Sequence, residues 1–302
     1  MTSRPDCLVP TRPDPTRCFS NNGGRKMKVL SLGAGVQSST LALMAEKGEI
    51  DKPDCAIFAD TQAEPKAVYE WLDWLQQQLS YPVHVISYGD LYQEMMEVAQ
   101  GTGKYKFLNV PVFTVTGRKG KKGLLKRQCT THYKIRPINQ KIRELLGLKK
   151  RQRVPEGTNV DVIIGISYDE IVRMKASQFS YITHHFPLVD MKMRRHQCVE
   201  WMKKNNYPTP PRSACIFCPY HTNTEWRRIK ENKEEWKKVV ALDKAIRNAT
   251  KRPEDEVFLH SDRVPIDQAD LRTWDEIGQP DLFFYNKDDF GQLNNCDGMC
   301  GV

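Results

Sequence analysis

A run of strand-forming residues, Met27-Lys28-Val29-Leu30-Ser31-Leu32, breaks into Gly33-Ala34-Gly35-Val36-Gln37-Ser38-Ser39, and a helix-like stretch, Thr40 to Lys47, follows at once. A buried strand that turns through small residues into a helix is a standard way to hold phosphate. Glycines let the backbone approach the anion, and the free N–H groups and positive dipole end of the helix point at it. Ser38 and Ser39 add hydroxyl donors, and Ser38 is placed to cap the helix. Two common phosphate loops are excluded: the chain has no G-x-x-x-x-G-K-[ST], and Ser38 stands where G-x-G-x-x-G needs its third glycine. A plain strand–turn–helix joint is the structural alternative for the loop taken alone.

The chain beyond the loop alternates short apolar, β-branched runs with helical stretches. Val29–Leu32, Ala56–Ala59, Val83–Ile86 and Val160–Ile164 read as strands buried on both faces. Helices are expected over Pro65–Leu79, Leu91–Ala99 and Pro137–Leu148. Alternation of this kind predicts an α/β fold, a parallel sheet with helices on both faces. Ligands of such sheets bind outside the carboxyl ends of the strands. The 33–39 loop, Asp60 and Gly165 all fall at such ends. Residues 1–26 read as a disordered leader, 27–190 as the nucleotide-binding domain, and 191–302 as a helical C-terminal region. Helices are expected there over Met191–Lys204 and Thr224–Ala249, with Trp226, Ile229, Trp236, Val240 and Leu242 on one packing face.

With 46 Lys+Arg against 37 Asp+Glu the formal net charge is +9, which suits a polyanionic partner such as nucleic acid. The stretch Gly101–Arg127 concentrates six lysines and two arginines. It reads either as a solvated loop or as a phosphate-contacting arm or lid. Lys149–Arg153 is a second basic cluster, at the expected end of a helix, where cations are favoured on dipole grounds alone. No apolar run is long enough to span a membrane, and nine cysteines without a secretory signal predict a reducing, cytoplasmic setting.

Cys215 and Cys218 form a C-x-x-C that puts two thiols on one turn, so both can reach one metal centre. A redox dithiol and a purely structural pair compete with that reading. A redox pair is expected to open a helix after a strand, whereas this one follows Pro208-Thr209-Pro210-Pro211 and precedes Pro219. A tetrahedral sulfur site needs further partners, of which Cys129 is the obvious third. Cys300, Cys296, Cys198 and His221 are candidates for the fourth position, as is a ligand from outside the protein.

Five segments in order then resemble the PP-loop ATP pyrophosphatases, and within them the branch of PAPS reductases and DNA phosphorothioation sulfurtransferases. They are the 33–39 loop, the acidic strand end Asp60-Thr61 with Glu64 and Pro65, the run Cys129 to Pro137, Gly165-Ile166-Ser167-Tyr168-Asp169-Glu170, and Cys215-Ile216-Phe217-Cys218-Pro219. The resemblance implies an ATP site, with Mg²⁺, formed by Ser31, Gly33, Ala34, Gly35, Gln37, Ser38 and Ser39. Phe58, Asp60 and Gly165 would frame the nucleotide, and Ser38 and Asp60 would serve catalysis.

It also implies a [4Fe–4S] cluster on Cys129, Cys215 and Cys218, with zinc as the alternative metal, and Cys300 is expected as its fourth ligand. Gln128 stands where adenylylsulfate reductases carry a further cysteine. Two more departures shape the expected reaction. Gln37 replaces the aspartate of the loop, and Ser167 replaces the sulfate-holding arginine, leaving Arg173 as its nearest substitute. The expected activity is therefore ATP-dependent sulfur transfer to a nucleic acid, DNA or tRNA, with a sulfur donor such as a cysteine desulfurase. A sulfonucleotide reductase with Cys300 as nucleophile is the first alternative, and a non-catalytic nucleotide-binding subunit of a modification or defence complex the second. A homodimer is the oligomer considered.

Overall fold

The structure is a computed structural model that describes residues 26–117, 120–250 and 255–278. The first strand, β1 (Met27–Leu32), runs into α1 (Val36–Glu46), β2 (Cys55–Asp60), α2 (Lys66–Gln78), β3 (Val83–Ser87) and α3 (Leu91–Gln100). A hairpin, β4 (Phe113–Thr116) and β5 (Lys121–Leu124), leads through a π-helical turn, Thr130–Ile135, into α4 (Arg136–Leu145). Next come β6 (Val160–Ile164), a 3₁₀ segment (Tyr168–Arg173), β7 (Ile182–His185), α5 (Pro187–Asp190) and α6 (Arg195–Lys204). The chain continues with α7 (Asn223–Glu231), α8 (Lys233–Ile246), β8 (Glu256–Phe258) and α9 (Trp274–Ile277).

The main sheet has five strands in the order β3-β2-β1-β6-β7, all parallel. Alternation along each strand decides which side it feeds. Leu30, Leu32, Ala56 and Phe58 pack with α1, α2 and α6 on one face, through Leu41, Leu72 and Met202. Val29, Ile57, Val162 and Ile164 pack with Ile138 and Ile142 of α4 on the other. Both faces being covered, the central strands are buried along almost their whole length, as expected for a parallel sheet. β1 lies between β2 and β6, so the connections leave it in opposite directions and open a crevice at its carboxyl end.

A third apolar cluster, around Met95, Tyr133, Phe217, Trp226, Leu242 and Val257, carries a second, antiparallel sheet of order β5-β4-β8. Here the structure corrects the loop expected over 101–127. Leu108, Val110 and Val112 are buried, and β4 pairs with β5 from Phe113↔Leu124 to Thr116↔Lys121. The alternation Phe113-Thr114-Val115-Thr116 is a strand pattern that the surrounding lysines masked. Lys119, at the centre of the basic run, lies outside the described residues.

The single helix expected over Thr224–Ala249 is two. Asn232 ends α7 and its side-chain oxygen accepts from the backbone N–H groups of Glu234 and Glu235 at 3.2 and 3.3 Å, capping α8. The helix expected from Met191 begins at Arg195 instead. Trp226, Ile229 and Leu242 are buried and Trp236 and Val240 pack against them, so these side chains are core. Cys198 and Met202 of α6 lie in one cluster with β1 and α1. Residues beyond 190 therefore complete the core of the main sheet before the chain crosses to the second cluster. Among the described residues no helix is long and apolar enough to cross a membrane.

Burial pushes the Cys55 and Cys198 thiols up from 9.0 to about 12. A group whose proton is held more tightly in the folded state gives up its stabilisation as pH rises above the unfolded value. Stability is therefore expected to be level near neutrality and to fall from about pH 9 upwards. Thermal unfolding measured between neutral pH and about pH 10.5 tests this. Cys198→Ala should flatten the decline, and a melting temperature independent of pH across that range would contradict it.

Candidate functional site

The turn after β1 is tight because Ala34 takes a left-handed conformation (φ 56°), which costs a non-glycine residue about 1–2 kcal/mol. The hydroxyl of Ser38 holds the turn from inside: its oxygen accepts from the Gly33 N–H at 3.1 Å and lies 3.5 Å from the Gly35 carbonyl. Ser38 is thus not the helix cap. That position belongs to Gly35, and no side chain caps α1. The N–H groups of Val36, Gln37 and Ser38 have no acceptor inside the helix. They form the positive end that an anion would meet.

Gly165, at the end of β6, closes the crevice against this turn. A Cβ there would lie 2.8 Å from the Ser38 backbone nitrogen and 3.0 Å from its Cα. Only glycine lets the two backbones approach so closely. Ser39 does not face the turn with its hydroxyl alone, since that oxygen accepts from the Trp71 indole at 2.9 Å. Ser31 and Phe58 are both buried in their strands, opposite Ile164 and Leu32 respectively.

Gln37 is fully buried and joins three elements. Its amide nitrogen donates to Glu170 at 3.0 Å and its oxygen accepts from Arg195 at 2.7 Å. The other oxygen of Glu170 pairs with Arg173 at 2.8 Å, both side chains being buried. Arg173, expected as an anion-holding residue, is therefore engaged by Glu170 and reaches the loop through it. Arg195 is the cation in direct contact with the loop, and reading the sequence missed it. It opens α6, 158 positions from Gln37, outside every recognisable motif. Its backbone N–H donates to Asp169 at 3.1 Å, which fixes the start of α6 beside the 3₁₀ segment.

One strand over, Asp60 ends β2. One carboxylate oxygen accepts from the Gln62 N–H at 2.7 Å and the Tyr69 hydroxyl at 2.9 Å. Burial, then the hydrogen bond to Asp60, pushes the Tyr69 phenol well above its ordinary value, so it stays a donor. The other Asp60 oxygen makes no hydrogen bond among the described residues, leaving a hard anionic donor at the strand end.

The same loop binds the cysteine segment. Ile216 N–H donates to the Ala63 carbonyl at 2.8 Å, and the Thr61 hydroxyl lies 3.2 Å from the Cys215 sulfur. Ser213 donates to Glu64 at 3.4 Å, and Glu64 pairs with Lys134 at 3.4 Å, both essentially without exposure. Cys218 N–H closes the C-x-x-C turn on the Cys215 carbonyl at 2.9 Å. Cys129 opens the π-helical turn that carries Lys134 and lies near enough to Cys215 to influence its charge. Burial, then the Glu64 charge, pushes the Cys215 thiol well above the ordinary range, against Lys134 and Thr61.

Two candidates for a fourth metal ligand are otherwise engaged. His221 bonds the Cys215 carbonyl through Nε2 (2.8 Å) and Glu225 through Nδ1 (3.4 Å), and Cys198 packs in the core of the main sheet. Burial opposes ionisation of Glu225, but His221 and Arg212 hold its carboxyl down at about 2. Cys296 and Cys300 lie outside the described residues. Among the described residues no group of three or more His, Cys, Asp or Glu is arranged to hold a metal ion. Cys129, Cys215 and Cys218 thus share one region without forming a metal centre by themselves.

No family model matches the sequence, and no curated protein matches it. Among solved structures the chain is similar to phosphoadenylyl-sulfate (PAPS) reductase from Candida auris in a phosphate complex. The identity is 14% over 63% of this chain and 76% of that one, with a TM-score of 0.38. So distant a likeness assigns neither an activity nor a site residue here.

If the α1 turn binds a phosphate, Gly165→Ala should weaken ATP binding at least about tenfold, because overpacking against backbone displaces the turn by a cost of about 1–3 kcal/mol. Titration calorimetry with MgATP, beside a thermal melt, separates a local effect from unfolding. Wild-type affinity in the alanine variant would show that the turn is not the phosphate contact.

Proposed function

We propose that this chain is an ATP pyrophosphatase of the PP-loop type that transfers sulfur to a nucleic acid. One observation carries the reading: the uncapped start of α1 follows β1, and a half-buried cysteine turn is fastened to the loop that leaves the neighbouring strand β2. An oxygen of the acceptor attacks the α-phosphorus of ATP, and pyrophosphate leaves. A cysteine persulfide, the form in which a cysteine desulfurase delivers sulfur, then attacks the acceptor carbon bearing the adenylated oxygen through its outer sulfur, and that oxygen departs with AMP. A second thiol attacks the inner sulfur of the resulting disulfide and releases the thiolated acceptor, and the disulfide left behind is reduced by a cellular thiol.

The residues suit distinct parts of that sequence. The N–H groups of Val36, Gln37 and Ser38, with the Arg195 guanidinium, face the charge of the departing pyrophosphate. Gln37 is neutral, so it orients Arg195 without cancelling its charge. The uncommitted Asp60 oxygen suits Mg²⁺, which prefers carboxylate ligands and neutralises phosphate charge when bound. Gly165 keeps the turn and the end of β6 in contact.

Among the described cysteines Cys215 is the one that touches the loop after β2, its sulfur 3.2 Å from the Thr61 hydroxyl, which ties the cysteine turn to the proposed nucleotide site. The iron–sulfur cluster and its zinc alternative rest on the resemblance of the motifs. The described cysteines do not by themselves form such a centre, and no step above passes through one.

In the presence of MgATP and nucleic acid the protein should release AMP and pyrophosphate. Ser38→Ala should lower the rate at least about tenfold, since it removes the hydroxyl that closes the turn on Gly33. Chromatography of labelled nucleotide products reads both outcomes, and ADP with phosphate would reject the assignment.

Metal content is a separate expectation. Protein purified without oxygen should carry iron and acid-labile sulfide, lost in Cys129→Ser, Cys215→Ser and Cys218→Ser. Stoichiometric zinc without iron in that preparation would replace the cluster, and neither metal would remove it.

A further inference from the structure

A group of rings with cations around it lies beside the thiols and is not used by the chemistry above. Tyr88 follows the last residue of β3. Its hydroxyl lies 3.0 Å from that of Tyr105, and its ring meets Tyr133 edge-on at 5.5 Å. Tyr105 in turn stacks on His132, with centroids 5.7 Å apart and planes inclined by 27°. Tyr133 is buried and anchors the group, whereas Tyr88 is 43% exposed. Large aromatic surface kept in water on a polar edge is a costly arrangement unless something covers it.

The surrounding charge says what covers it. Lys104, Lys106 and Arg136 are all exposed, and the Lys104 ammonium lies 5.6 Å from the Tyr105 ring centre. The nearby carboxylates already have structural partners. Asp90 caps α3 through the Gln93 N–H at 3.0 Å, and Glu94 accepts from Asn109 and from the Tyr133 hydroxyl. Burial, then Arg136, holds the His132 ring below its ordinary pKa, which leaves it neutral and suited to stacking. His132 Nδ1 is buried without a hydrogen-bond partner among the described residues.

The group is also tied to the reaction edge. Gln62, whose N–H bonds Asp60, donates its side chain to Ser87 at 2.9 Å, immediately before Tyr88. His132 lies one turn beyond Cys129, which neighbours Cys215.

We propose that Tyr88, Tyr105 and His132 form a stacking platform for unpaired bases of a single-stranded nucleic acid, with Lys104, Lys106 and Arg136 contacting its phosphates. This rests on the nucleic-acid reading above and gives it a place. An unpaired base exposes the π-face that the rings need, whereas a duplex hides it in its own stack. Stacking is indifferent to sequence, so the platform holds a strand without choosing it.

The test uses the full-length chain and a fluorescein-labelled mixed-sequence DNA strand of about twelve nucleotides, its RNA counterpart and the matching duplex, followed by anisotropy across a salt series. The double variant Tyr88→Ala/Tyr105→Leu should lose about tenfold or more in single-strand affinity, with an unchanged salt slope and little change on duplex. Tyr88→Phe/Tyr105→Phe should retain most of the affinity, which separates stacking from loss of fold. Lys104→Ala/Lys106→Ala/Arg136→Ala should instead reduce the salt slope. Wild-type single-strand binding in the Ala/Leu variant, equal losses on strand and duplex, or no strand binding by the wild-type protein would each overturn the platform. MgATP binding measured on the same samples is judged apart. Its failure removes the pyrophosphatase reading, whereas strand binding alone decides the platform.

Discussion

The contact between the end of β6 and the first turn of α1 is the constraint around which the candidate site is arranged. Gly165 brings two backbones within reach of each other where a single added carbon would lie 2.8 Å from an amide nitrogen. That approach fixes the turn from one side, while the Ser38 hydroxyl ties it to Gly33 from within. The result is a helix start that carries no side-chain cap yet remains in place. Its unmatched N–H groups give that start a fixed partial positive charge, on which the proposed anion site rests.

Around that start the chain places charge economically. Glu170 is shared between Gln37 and Arg173, so a buried ion pair is linked to the loop by a neutral amide. Removing one partner of such a pair is strongly destabilising, which makes the network a clamp on position. Arg195 then supplies a cation to the loop without itself being deeply buried. On the other side of β1, the pair Glu64–Lys134 does comparable work for the cysteine turn, in the vicinity of Cys129 and Cys215. Two elements distant in sequence, the π-helical turn and the segment after Pro211, are thereby held against the loop that leaves β2.

Reading the chain residue by residue recovered the strands of the main sheet and the loop behind β1, because period and turn chemistry are local. It failed where two signals overlapped: lysines on the hairpin hid its alternation, and Asn232 hid a helix break inside an apolar face that continues on both sides. Ser38 illustrates a subtler miss. A serine near a helix start suggests a cap, but the left-handed Ala34 moves the cap to Gly35 and turns the serine inward.

The amino-acid sequence by itself determined an alternating β/α order, a small-residue turn after the first strand, an acidic end to the second, and a paired-thiol turn late in the chain. Each depends on residues within one or two turns of one another. Only the tertiary structure decided that β1 lies between β2 and β6, that Gly165 closes the turn, that Arg195 and not Arg173 touches it, and that Cys215 lies beside Thr61. Those facts join residues as much as 158 positions apart. They follow from how sheet order and packed helices close the chain on itself, which local spacing does not encode.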